Sequence, residues 1–328
     1  MALWSLPDTV RAAIVAFTVV TGAAGVAGVA SVSAQESTPA VECVAPDLPP
    51  GTPSAMPEEG GPPPAAEGEG TPEGEAEAHD MTAMEDASPE AVDEGVAADD
   101  ATAGTAIAAV ENFAGCITGG DAEGVAALVT TNYLLAQTGS ENPYDLVAVF
   151  QFAPVTIESA GDVRTHEDGR VSVDVQYSGF YAPGSLLHER WFLVDDGGVL
   201  KVDETVGMLY PADQVAQAEL VDYGFVLSQS TFVAGQSIAF ELTNTGTEPH
   251  EMAIAQLPEG GTIEQAFSGE IPFEEINFVG VGFADPGQTG YLATVGLEPG
   301  SYTIVCFIPS PDGAPHFAKG MVGEFTVE

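Results

Sequence analysis

From residue 216 to 328 the chain never stays apolar for long. Hydrophobic stretches at 225–227, 238–242, 252–255, 278–283, 289–294, 302–307 and 321–327 are separated by turn formers: Gly235, Asn244-Thr245-Gly246, Pro258-Glu259-Gly260, Pro286-Gly287 and Pro299-Gly300. Punctuation every ~8–12 residues excludes a long helix and predicts an all-β Greek-key sandwich. Only residues 264–267 read as a helical turn between strands.

Residues 102–212 carry a different rhythm. Ile107, Val110, Phe113, Ala114 and Ile117 recur at helical spacing, and Gly119-Gly120 ends that helix before a second at 121–135 and a third at 143–152. The period then drops to two. Val171, Val173, Val175 and Tyr177 alternate with polar residues after the turn signal Asp168-Gly169, and a hairpin follows at 187–194 and 200–203 around Asp195-Asp196-Gly197-Gly198. Helices first and an antiparallel sheet after them predict an α+β cone.

Residues 35–101 are read as a linker. The stretch from 35 to 100 holds 18 of the 50 acids and 11 of the 24 prolines, with no Lys, Arg or aromatic residue. Such a segment buries too little apolar surface to offset its ordering entropy, so an extended, disordered tether is expected. Before it, Arg11 precedes an uncharged run at 12–30, and Val32-Ser33-Ala34 fits a small-residue cleavage pattern. That reads as an export signal over 1–34, the alternative being an uncleaved membrane anchor. Either places the rest of the chain outside the cytoplasm.

The whole chain has 6 Lys and Arg against 50 Asp and Glu, a formal net charge of −44. That excludes a nucleic-acid binder, which needs basic surface, and favours solubility in saline surroundings and basic protein partners. Three cysteines cannot build a disulfide framework. Cys43 and Cys116 are left to pair by elimination in an oxidising compartment. In the tether, His79, Met81 and Met84 are of the types that suit copper, although incidental solvated residues are the simpler reading. In the α+β region the only acid or base candidates are His188, Glu189 and Asp203. Strand alternation puts His188 and Arg190 on one face and Glu189 and Trp191 on the other, so no dyad is expected.

The C-terminal region holds His250, then Cys306, His316 and Met321 as a Cys-x9-His-x4-Met cluster. Two imidazoles and a thiolate form the trigonal plane of a mononuclear copper site, with a weak axial thioether. A strand is expected to deliver Cys306, one end loop to return His316 and Met321 beside it, and His250 to come from across the sandwich, so that the site spans two sheets. Zinc prefers more thiolate or imidazole and no methionine. No Gly-rich phosphate loop, Ser/His/Asp order or second His/Cys set for a catalytic copper is present.

The segments NTGTEPHEMAIA and HFAKGMVGEFTVE resemble the ligand-bearing segments of cupredoxins, the plastocyanin and azurin family of type 1 (blue) copper proteins, over about the last 110 residues. The resemblance implies His250, Cys306, His316 and Met321 as the ligands of one type 1 copper ion. Two departures stand out. The Cys-to-His loop is longer than in plastocyanin or azurin, and Glu251 stands where many members have Asn. The middle region, with Thr118-Gly119-Gly120-Asp121 and HERWFLVDDGGVLKVDE, is similar to the nuclear-transport-factor-two-like (SnoaL-like) family, which implies a ligand-binding or dimerising module.

The expectation is an exported single-electron carrier, not an enzyme, with a cupredoxin at 216–328 and an accessory α+β domain at 102–212. Copper storage or delivery, and a metal-free surface binding module, are the alternatives. Ile308, Pro309, Ala314, Pro315, Phe317 and Ala318 form an apolar collar around His316, expected to dock a basic redox partner at the imidazole edge.

Overall fold

The first helix starts where Asp99 accepts a hydrogen bond from the Thr102 amide at 2.8 Å, a cap worth about 1 kcal/mol. The computed structural model describes residues 43–44, 94–149, 154–179 and 182–328. The export signal, the His79 cluster and the tether outside 43–44 and 94–101 lie outside the described residues.

A short strand β1 (Val96–Ala97) precedes four helices: α1 (Asp100–Gly119), α2 (Ala122–Leu128), α3 (Thr131–Thr138) and α4 (Pro143–Val149). Helix α1 buries Val110, Phe113, Ala114 and Ile117 as its spacing predicts, while Ile107 is half-buried and Ala106 is the innermost residue of that turn. One expectation fails. The single helix expected at 121–135 breaks at Val129-Thr130, because Val129 bridges to Val202 and the Thr130 amide donates to the Val202 carbonyl at 3.0 Å. The Thr130 hydroxyl then accepts from the Tyr133 amide and restarts the helix as α3.

The strands that follow are β2 (Thr156–Thr165), β3 (Val171–Gly179), β4 (Ala182–Asp196), β5 (Val199–Gly207), β6 (Gln214–Val221), β7 (Gly224–Leu227) and β8 (Thr231–Phe232). Then come β9 (Ile238–Asn244), β10 (His250–Gln256), helix α5 (Ile263–Ser268), β11 (Asn277–Ala284), β12 (Thr289–Thr294), β13 (Gly300–Val305) and β14 (Val322–Val327). The β4–β5 hairpin closes on Gly197-Gly198, both at positive φ (69° and 95°), as a two-residue hairpin loop requires. Helix α5 carries a full capping box between Thr262 and Gln265.

Two sheets result. The larger runs β1-β2-β3-β4-β12-β9-β6-β7, with β5 also on β4, and the smaller runs β11-β10-β13-β14-β8. Strand β4 is the hinge of this arrangement. One of its edges pairs with β3; along the other, Ser185 and Leu186 pair with Thr294 and Ala293 of β12, while 189–196 pair with β5. The α+β region and the sandwich therefore share one continuous sheet. Each keeps its own core, with a small cluster of Leu186, Ala239 and Ala293 under the junction.

Aromatic rings fill the α+β core. Phe113 packs edge-on against Tyr133 and Trp191 (6.0 and 5.5 Å between centroids), and Tyr177 against Trp191 (5.7 Å). Cys116, fully buried on α1, is disulfide-bonded to Cys43. In the sandwich, Phe232, Phe240 and Phe325 interlock between the sheets. The pairing is mixed, since β6–β9 and β8–β14 are parallel. Among the described residues no helix is long and apolar enough to cross a membrane.

Candidate metal centre

The end of β13 places Cys306, and backbone bonds then fold the next fifteen residues back onto it. The Cys306 amide donates to the Met321 carbonyl (3.2 Å), the Phe317 amide to the Cys306 carbonyl (2.9 Å), and the Met321 amide to the His316 carbonyl (3.0 Å). His316 opens a 3₁₀ turn (His316–Lys319) and its amide donates to Ile308. His250 is the first residue of β10, which lies beside β13 with Ala253 opposite Val305.

This corrects the expected route to the site. His250, Cys306 and Met321 all come from strands of the smaller sheet or their immediate ends, because β10, β13 and β14 are consecutive neighbours there. They are not brought from opposite sheets.

The side chains of His250, Cys306, His316 and Met321 are completely buried. His250, Cys306 and His316 gather their donor atoms within 4.8 Å of one another. The two Nδ1 atoms are 3.0 Å apart, and His316 Nδ1 is 3.4 Å from Cys306 Sγ. Both separations fall inside the roughly 4–4.5 Å that two donors bonded at about 2.0–2.3 Å to one ion can span. Met321 packs in the same core cluster as Cys306.

The outward nitrogens are spoken for. His250 Nε2 lies 3.1 Å from Asp222 Oδ1, and His316 Nε2 lies 2.8 Å from Glu248 Oε2. A carboxylate only accepts, so each of these contacts calls for a ring proton on Nε2, an arrangement that would leave an Nδ1 lone pair facing inward on each ring. Two such lone pairs facing each other beside a buried thiol fit a soft cation between them.

Burial sets the ionisation of the donors. It lowers both imidazoles below their ordinary value, against the raising pull of Asp222 on His250 and of Glu248 on His316, which favours the neutral form that can ligate. Burial, with the Glu251 charge behind it, pushes the Cys306 thiol well up. A metal would make the thiolate. Burial also raises Asp222, but the Thr247 and His250 hydrogen bonds outweigh it and bring that carboxyl down to about 2.

Glu251 spans the site from behind. Its amide donates to Cys306 Sγ (3.5 Å) and its Oε1 accepts from the Phe307 amide (2.7 Å), which ties β10 to the residue after the cysteine. Burial pushes its carboxyl up to about 7.

The collar does not surround an open ring edge. His316 is 0% exposed, Ile308 and Phe317 are buried, Pro309, Ala314 and Pro315 are half-buried, and only Ala318 is exposed. The Tyr223 ring packs edge-on against His316, 5.2 Å between centroids. The α+β candidates have structural partners. His188 Nδ1 meets the Leu209 carbonyl, Glu189 accepts from Tyr177 and Trp191, and Asp203 accepts from Thr130. Asp222 and Tyr223 carry no local sequence signal for this site, and for Glu248 the one signal is its place two residues before His250.

No protein-family model matches the chain, and no curated protein does. Among solved structures it is similar to auracyanin A, a "blue" copper protein from Chloroflexus aurantiacus (18% identity, covering 35% of this chain and 99% of that one, TM-score 0.28). It is also similar to rusticyanin from Thiobacillus ferrooxidans (22% identity, 36% and 80% covered, TM-score 0.25) and to a multicopper oxidase (12% identity, 47% and 61% covered, TM-score 0.24).

Proposed function

We propose that the chain is an extracytoplasmic single-electron carrier, not an enzyme, in which His250, Cys306, His316 and Met321 hold one type 1 copper ion. The observation that carries this reading is the convergence of two neutral imidazole Nδ1 atoms and one thiol sulfur in a fully buried pocket. When bound, copper supplies a reversible one-electron couple.

The chain's own residues do the rest. The loop between Cys306 and Met321, closed on itself by backbone bonds, keeps the donors at fixed spacing, so both charge states meet nearly one geometry. Met252, Ile254, Ile308 and Phe325 exclude water. The acid-rich surface steers a basic redox partner. Burial also speaks against storage or delivery, since handing over an ion needs an open ligand. The Cys43–Cys116 disulfide supports an oxidising compartment. In the α+β region the aromatic-filled interior supports a surface role, in association or docking, over ligand enclosure.

Adding one equivalent of Cu(II) to the full chain should give an intense visible thiolate-to-copper band and reversible one-electron voltammetry, both absent in Cys306→Ser. Failure to bind stoichiometric copper would overturn the reading. Tight Cu(I) binding without the band would move it to delivery.

A further inference from the structure

Two histidines facing each other at 3.0 Å have a second way to settle. If either ring moved its proton to Nδ1, it would donate to the other ring, and the pair would close on itself with no donor left for an ion. Something must hold both protons on the far side.

We infer that Asp222 and Glu248, braced by Tyr223, are positioning residues that hold both histidines in the Nε2–H form and so keep the pocket open to metal. The inference rests on the copper reading above and adds how the empty site is kept ready. Each carboxylate is itself fixed. Asp222 accepts from the Thr247 amide and hydroxyl at 2.9 and 2.8 Å, and Glu248 Oε1 accepts from the Tyr223 hydroxyl at 2.9 Å. Lys319 completes the brace, 3.4 Å from the Tyr223 oxygen, 4.8 Å over its ring, and paired to Asp312 at 2.9 Å.

The backbone is shaped to bring the clamp in. Asp222 and Tyr223 form the tip of the β6–β7 hairpin, and Tyr223 sits at φ +67°, where a bulky residue is an outlier. Glycine would be the ordinary choice there, so the conformation is kept for the ring that reaches Glu248 and covers His316. Gly246 serves the same purpose across the gap, since a β-carbon there would run into the Asp222 carboxylate and lie 2.8 Å from His250 Nε2. Asp222 and Tyr223 thus reach the ligands from the larger sheet, and Glu248 from the connection that joins β9 of that sheet to β10 of the smaller one.

The test begins on the metal-free full chain, with long-range proton–nitrogen NMR of the two rings. Wild type should show protonated Nε2 and bare Nδ1 at both histidines. Asp222→Ala should move the His250 proton to Nδ1, and Glu248→Ala should do so for His316. Glu248→Gln, which keeps an acceptor oxygen, should restore the wild-type pattern. In chelator competition with copper, each alanine variant should lose about 10–100-fold in affinity, with the glutamine variant close to wild type. Tyr223→Phe, which keeps the packed ring and removes only the hydroxyl that holds Glu248, should nearly keep its unfolding midpoint yet loosen the His316 pattern, and so separates positioning from folding. Nδ1 protonation in the wild type, or alanine variants with undiminished affinity, would overturn the inference. If wild type shows the stated tautomers but takes up no copper, the clamp stands and the electron-carrier reading fails.

Discussion

The Nδ1 atoms of His250 and His316 stand 3.0 Å apart with their ring planes crossed at 64°, and each ring's other nitrogen faces a carboxylate oxygen. Such a pair in a dry interior is an unfavourable contact in the empty chain and a favourable one around a cation. Stability should therefore follow the metal.

Removing bound copper with a chelator should lower the unfolding free energy by about 4 kcal/mol when free copper had stood at about a thousand times its dissociation constant. Scanning calorimetry should show a drop of several degrees in wild type and none in Cys306→Ser. Equal midpoints with and without copper in the wild type would mean that the metal does not bind the native site.

Met321→Leu nearly conserves volume in the fully buried position and should cost less than about 1.5 kcal/mol. It should leave copper bound and raise the midpoint potential, because the thioether stabilises the more positive ion and leucine does not. An unchanged potential in voltammetry would remove Met321 from the ligand set.

Glu189 gives the fold a pH signature away from the metal. Burial raises its carboxyl above the ordinary 4.5, while hydrogen bonds from Tyr177 and Trp191 pull it down without cancelling the effect. The folded chain then holds this proton more readily than the unfolded chain. Its contribution is complete below about pH 4.5 and is lost as pH rises through the folded value. Glu251, raised to about 7, contributes to the same decline, so urea titrations across that window should show it in wild type and Glu189→Gln should make it shallower without removing it.

Reducing the Cys43–Cys116 bond, or replacing Cys43 with Ser, frees a closure spanning 73 residues. The chain-entropy account puts the loss at roughly 4 kcal/mol. Urea midpoints with and without reductant should differ in wild type and coincide in Cys43→Ser. A wild-type midpoint insensitive to reductant would show that α1 does not depend on this tie.

The donor set was legible because its spacing is local. Cys306, His316 and Met321 lie on one strand-loop-strand passage, and turn residues mark its ends. Most of the strands were legible too, yet β6 was passed over, since Gln214–Val221 follows directly on a stretch read as connection. What stayed hidden depends on pairing across the chain. Asp222 reaches His250 over 28 residues and Glu248 is reached by His316 over 68, distances that only the β6–β7 register and the fold of the loop decide. The break at Val129-Thr130 has the same cause, a backbone bond to Val202 that no helix propensity foretells.

The pairing of Ser185 and Leu186 with Thr294 and Ala293 has a practical corollary for anyone dissecting the chain. A cut near residue 213 does not release two finished pieces. It strips a flank from β12 on one fragment and from β4 on the other, and bare strand flanks of that kind recruit whatever backbone is nearest, including their own copies.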